Sequence, residues 1–178
     1  MLPRLPLADR RLGSLAPMIR PAAPADVATL VELIHDLAAF ERSPESVQVG
    51  PDRLHAALFG AAPNVFAHVA EDEGAVVGMA IWFLTFSTWT GRKGIHLEDL
   101  YVRPEARGQH FGRALLAELA SIAEQAGHQR VEWNVLHWNE PALGFYQSLG
   151  AEPLDEWIGY RLSGPALSRL AGSVSPAR

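Results

Sequence analysis

Between Arg103 and Leu116 the chain reads RPEARGQHFGRALL, with Gly108 and Gly112 on either side of His110 and Arg107 and Arg113 close by. The run before this stretch reads as a strand and the run after it as a helix, so the glycines fall at a helix N-terminus. Unpaired N–H groups and the positive end of the helix dipole attract phosphate there, provided that small residues let it approach the backbone. The dinucleotide fingerprint G-x-G-x-x-G is not matched, and no Gly-Lys-Ser/Thr follows as a P-loop would need. Just upstream, Glu98 and Asp99 are adjacent carboxylates, able to take a proton or hold a cation. Neighbouring strand residues face opposite sides of a sheet, so only one of them faces a cleft unless a bulge turns both inward.

The elements that must position these groups follow from hydrophobic periodicity. Met18–Ala22 reads as a short strand, and Pro24 opens a helix in which Val27, Leu30, Val31, Ile34, Leu37 and Ala38 share one face. A shorter helix is expected between Gly50 and Gly60. Two strands, Asn64–Glu71 and Ala75–Phe86, join at the turn-prone EDEG as an antiparallel pair. Gly94–Val102 is a further strand, and from Phe111 the positions Leu115, Leu119, Ile122 and Ala126 extend a stripe that stops at Gly127. Arg130–Leu136 then reads as a strand, Glu140–Gly150 as a helix and Trp157–Leu162 as a last strand. This order implies an α/β (α+β) domain: a mixed sheet flanked by helices around a strand, phosphate loop and helix. Residues 1–17 are expected to be a flexible leader, 18–171 a single domain and 172–178 a flexible tail.

Composition narrows the function classes. With 178 residues, 48% of them hydrophobic, the chain suffices for one domain with a sizeable core. A net charge of −5 argues against a nucleic-acid partner and for a cationic one. There is no cysteine, so disulfides, thiolate metal sites and a cysteine nucleophile are excluded, and acyl transfer must be direct or use oxygen. The seven histidines show no ligand spacing, so no metal is expected. No apolar run is long enough to span a bilayer and the first residues lack a signal-peptide core, so no membrane and a cytoplasmic location are expected.

Two separated runs, LEDLYVRPEARGQHFGRALL and WNEPALGFYQSLGA, resemble the GNAT superfamily of acyl-CoA N-acyltransferases, and within it most the diamine (spermidine/spermine) and thialysine N-acetyltransferases. The resemblance implies a mostly antiparallel central sheet, acetyl-CoA as acyl donor, a small cationic amine as acceptor and a homodimer. It assigns the coenzyme to the backbone of Leu100, Tyr101 and Val102, to the loop Arg107, Gly108, Gln109, His110, Phe111, Gly112 and Arg113, and to Asn139 and Pro141. It makes Glu98 the proton acceptor, through water, and Tyr146 the acid for the departing thiolate. Glu41, Trp89, Glu98 and Asp99 would bind the amine. Two departures stand out. His110 occupies a position where the family has glycine, and a helical φ is expected there, at which a side chain does no harm. Ser87 and Thr88 stand where the mammalian polyamine enzymes carry Asp-Pro, which favours a shorter amine or a thialysine-like amino acid.

The implied activity is direct transfer of acetyl from acetyl-CoA to a primary amine in a ternary complex. A catalytically weak acyl-CoA-binding sensor is the alternative from another class, and an acetyltransferase for an aminoglycoside or a protein N-terminus is a further one.

Overall fold

Five strands are laid down in sheet order β1-β2-β3-β4-β5: β1 (Met18–Pro21), β2 (Phe66–Asp72), β3 (Ala75–Ser87), β4 (Arg92–Val102) and β5 (Val131–Trp133). The computed structural model describes residues 17–173. The expected leader, apart from Pro17, and the tail beyond Ser173 lie outside the described residues. The first three strand pairs are antiparallel and β4–β5 is parallel, so the expected mixed, mostly antiparallel sheet is found. Glu73 and Gly74, both at positive φ, make the tight turn expected at EDEG between β2 and β3.

The helices are α1 (Val27–Phe40), α2 (Pro51–Phe59), α3 (Phe111–Gln125), α4 (Glu140–Ser148) and α5 (Gly164–Gly172). The chain divides into two compact units, the first ending at Asn134 and the second beginning at Val135. The first holds the sheet with α1–α3; the second holds α4 and α5.

In the first unit, Val27, Leu30 and Leu33 of α1 and Leu54 and Leu58 of α2 pack with Ala67, Val69, Met79, Ile81 and Tyr101 on one sheet face. The opposite face, carrying Ala80, Trp82, Ile95 and Leu97, meets α3, which buries Phe111, Leu115, Leu116, Leu119 and Ala123. The α3 stripe therefore closes on Ala123, not on the expected Ala126, which is exposed. Arg20 in β1 reaches the buried Asp26 before α1 (2.6 Å) and Glu71 in β2 (2.8 Å), tying the helix entry to the sheet. The Arg20 guanidinium holds the Asp26 carboxyl below the usual carboxylate range.

Two differences from the sequence reading lie in the second unit. Trp157–Leu162 forms no strand although it has strand-like composition, because a strand needs a partner edge and none pairs with it among the described residues. Gly164–Gly172 forms α5, which the sequence reading did not contain.

Candidate active site

β3 and β4 are in regular register from Gly78 opposite Val102 to Ile81 opposite Asp99, but the next pair is Trp82 opposite Leu97. Glu98 is thus the extra residue of a β-bulge, and the period-two alternation breaks there. Asp99, opposite Ile81, lies on the sheet face covered by α1 and α2. His96 is opposite Phe83 on that face, and its Nε2 lies 3.9 Å from Oε2 of Glu98. The bulge therefore brings Glu98 and Asp99 to the same side, the arrangement that a bulge-free strand would forbid. Glu41, the C-cap of α1, completes the group.

Electrostatics register this convergence. Burial pushes the Asp99 carboxyl up to about 6, and the neighbouring charges of Glu98 and then Glu41 push in the same direction. Burial raises Glu41 as well. Glu98 is the outermost of the three, its side chain 60% exposed. Trp89 does not join them. It lies in the β3–β4 turn beyond Arg92, and the seven strand steps from Arg92 to Asp99 put it more than ~20 Å away at ~3.3 Å per residue.

Beside the carboxylates runs an open strand edge. β5 pairs only with Ile95–Leu97, so from Glu98 to Val102 the side of β4 away from β3 has no partner strand among the described residues. Arg103 N–H donates to the Val77 carbonyl (2.9 Å), and alternation back along the strand turns the Tyr101 amide toward β3 and the Leu100 and Val102 amides toward the open edge. Leu100 and Val102 thus suit an extended ligand arm. The Tyr101 amide does not, because β3 occupies it.

The loop after β4 is tethered back to this edge. Arg107 Nε donates to the Val102 carbonyl (3.0 Å), and its guanidinium lies 5.3 Å from the Phe40 ring and 5.5 Å from the Tyr101 ring. Arg107 is therefore an anchor between the loop, β4 and the end of α1, next to Glu41. Gly108 has φ +77 with open space around it, a backbone conformation in which a side chain would be strained. Gln109 donates to the Glu105 carbonyl (3.4 Å).

His110 corrects the sequence reading: it is the N-cap of α3 at φ 68, ψ 6, left-handed and not helical. A glycine here would be relaxed, whereas histidine carries strain of about 1 kcal/mol. No side chain caps α3, whose first turn is also without acidic residues, so its leading N–H groups present an uncompensated positive end. Phe111, buried, fixes the start of the helix; Gly112 is half-buried and Arg113 exposed.

Asn139, Pro141 and Tyr146 belong to the second unit. Asn139 caps α4, its Oδ1 accepting from the Ala142 amide (3.3 Å), with Pro141 in the first turn. Tyr146 is half-buried on α4, its ring 5.2 Å from that of Phe145.

Sequence reasoning missed Phe40, which had no marker beyond its place at the end of α1. It also did not anticipate that Arg130 packs against Gly94, although a glycine inside a strand is a standing sign that another group comes close.

Residues 30–151 match the acetyltransferase (GNAT) family. Thialysine N-epsilon-acetyltransferase of Bos taurus is 37% identical over 166 residues, 87% of this chain and 97% of the relative. L-ornithine N5-acetyltransferase NATA1 of Arabidopsis thaliana is 28% identical, over 85% of this chain and 86% of its own. Among solved structures, an integron cassette protein from the mobile metagenome of V. cholerae superposes with a TM-score of 0.75 at 26% identity, covering 89% of this chain and 99% of that one.

Proposed function

We propose, from the premise that the chain belongs to the acetyltransferase (GNAT) family and is an N-acetyltransferase, that it moves acetyl from acetyl-CoA directly to the primary amine of a small cationic acceptor. The acceptor is a diamine, a polyamine or a thialysine-like amino acid, bound together with the coenzyme in a ternary complex. The observation that carries this reading is the carboxylate group gathered by the β4 bulge beside an open strand edge that leads to an uncapped helix.

The chemistry follows from these parts. The diphosphate sits on the leading N–H groups of α3, at Gly108–Arg113, where the helix dipole and backbone donors favour an anion. The pantetheine arm extends along β4, its amides pairing with the open backbone at Leu100 and Val102; the roles of Asn139 and Pro141 toward the coenzyme rest on the family resemblance alone. One of these strand amides polarises the thioester carbonyl, a fixed dipole worth a few kcal/mol as charge develops on oxygen.

A primary amine has a pKa near 10, so about one molecule in a thousand is neutral at pH 7. The family resemblance gives the proton to Glu98; we assign it to Asp99, whose buried carboxyl, raised to about 6, is ionised at neutral pH and still basic enough to work. Glu98 and Glu41 hold the cation before deprotonation and keep the Asp99 pKa up, and Glu98, the more exposed, hands the proton to water. The amine nitrogen attacks the thioester carbon, the tetrahedral intermediate expels the thiolate, and the Tyr146 phenol protonates the sulfur.

A cytoplasmic homodimer belongs to the same proposal; among the described residues no helix is long and apolar enough to cross a membrane. Thiol release from acetyl-CoA with spermidine, putrescine, thialysine, lysine and an aminoglycoside tests the reading. Turnover with a small amine is expected. Activity with the aminoglycoside alone, or silence across the panel, overturns it.

A further inference from the structure

Beyond the carboxylates, the same sheet face carries a polar group that the transfer chemistry does not use. His96 is in register with Phe83 of β3 and with Glu132 of β5, so Glu132 shares its face. Arg130, one residue before β5, lays its side chain across β4 at Gly94. A Cβ on Gly94 would come within 3.0 Å of Arg130 Cγ and of Thr85 Oγ1, and 3.4 Å of Arg130 Cζ. Only a residue without a side chain leaves room for that guanidinium, which explains a glycine inside a strand.

Arg130 Nε lies 2.6 Å from Glu132 Oε2, yet neither Nε nor the buried Thr85 Oγ1 has a hydrogen-bond partner among the described residues. The ion pair is close but its N–H is not aimed at the carboxylate. Buried polar atoms left in this state are uncommon, and each calls for an explanation. Both side chains of the pair remain about one third exposed, 31% and 33%, and so can be reached from outside.

We propose that Arg130 and Glu132, with Thr85, form a subsite for the zwitterionic head of an α-amino acid whose side-chain amine extends along β4 to Asp99. This rests on the acetyltransfer reading above and narrows its acceptor. The Arg130 guanidinium lies over Gly94, level with Thr85, and four steps of β3 separate Thr85 from Ile81, level with Asp99, roughly 13 Å at ~3.3 Å per residue; the reach of the guanidinium and of the Asp99 carboxyl toward each other leaves a gap that a lysine-length molecule spans. The row is acidic at the Glu41, Asp99 and Glu98 end and offers an Arg/Glu pair at the other. An amino-acid head supplies a carboxylate for the Arg130 fork and an ammonium for Glu132, exchanging one ion pair for two. A diamine supplies only a second cation, which Arg130 repels, so the subsite discriminates by charge.

The test uses a matched pair of acceptors: thialysine and bis(2-aminoethyl) sulfide, the same chain without the carboxylate. Wild-type protein is expected to prefer thialysine. Arg130→Gln should lower kcat/KM for thialysine at least tenfold, through KM, and leave the diamine unchanged or improved. Gly94→Ala, which keeps the charge but displaces the guanidinium, should shift the ratio the same way. Equal effects on both acceptors, no effect on either, or a wild-type preference for the diamine would overturn the subsite while leaving the acetyltransfer reading intact. If wild-type protein acetylates neither acceptor, the full amine panel decides the acetyltransfer reading, and calorimetry of thialysine with the wild type and Arg130→Gln decides the subsite separately: equal binding overturns it, tenfold weaker binding in the variant supports it. Unchanged thermal unfolding of each variant excludes a general loss of structure.

Discussion

Replacing Asp99 by asparagine keeps the shape of the side chain and removes the carboxyl that titrates near 6 in the folded protein. In the wild type that group is about half ionised at pH 6 and roughly one tenth ionised at pH 5, so kcat/KM should fall on its acid side about tenfold per pH unit below 6. Asparagine cannot accept the proton, and loss of a positioned base typically lowers the rate by about 10²- to 10⁴-fold. The remaining activity should then climb toward pH 10, where the amine becomes neutral unaided. Glu98→Gln and Glu41→Gln remove like charges facing Asp99, so each should move the acid midpoint down, Glu98→Gln by more. Were Glu98 itself the acceptor, its glutamine variant would instead lose the acid limb. The assay is initial-rate thiol release from pH 5 to 10 under saturating acetyl-CoA. An acid limb near pH 6 that survives in Asp99→Asn would refute the assignment. The same shift has a sign for stability: because folding raises the Asp99 pKa from 3.8, the charged form is the less stable one, and stability is lost as pH rises from about 4 through 6. Asp99→Asn should therefore be more stable than the wild type at pH 8, by about 3 kcal/mol in chemical denaturation, while being the less active.

His110→Gly should relieve the left-handed strain and stabilise the fold by about 1 kcal/mol, with coenzyme affinity equal or tighter; a tenfold loss of affinity in calorimetry would mean that the imidazole itself holds phosphate. Tyr146→Phe should reduce kcat with little change in coenzyme binding, and an unchanged kcat would remove the phenol from the mechanism. Asp26→Ala leaves Arg20 with one carboxylate partner fewer and should lower unfolding stability by about 3 kcal/mol, an effect that shrinks at low pH because the Asp26 contribution is already lost as pH falls through its depressed pKa.

The parts of this molecule that periodicity governs were legible in its sequence. α1 and α3 announce themselves through apolar spacing, and Gly108 marks the loop because a left-handed turn before a helix favours glycine. The bulge at Glu98 was not legible, since it is a mismatch between two strands and neither strand encodes it alone. For the same reason the cation-π anchor of Arg107 between Phe40 and Tyr101 depends on where α1 ends against β4, a tertiary fact. His110 misled because histidine is acceptable in a helix; the chain places it one residue before the helix begins, where φ is positive. Trp157–Leu162 carries strand composition without strand pairing, a reminder that β-propensity describes fitness for a sheet surface and not the presence of a neighbour.

Backbone amide spectra titrated with acetyl-CoA test the placement of the coenzyme most directly, because they read the open edge of β4 and the start of α3 residue by residue. The largest shifts are expected at Leu100, Val102 and Gly108–Arg113, with Tyr101 moving less because its amide is bonded to β3. Shifts that leave these amides in place, or saturable binding that maps to another surface, would contradict that placement.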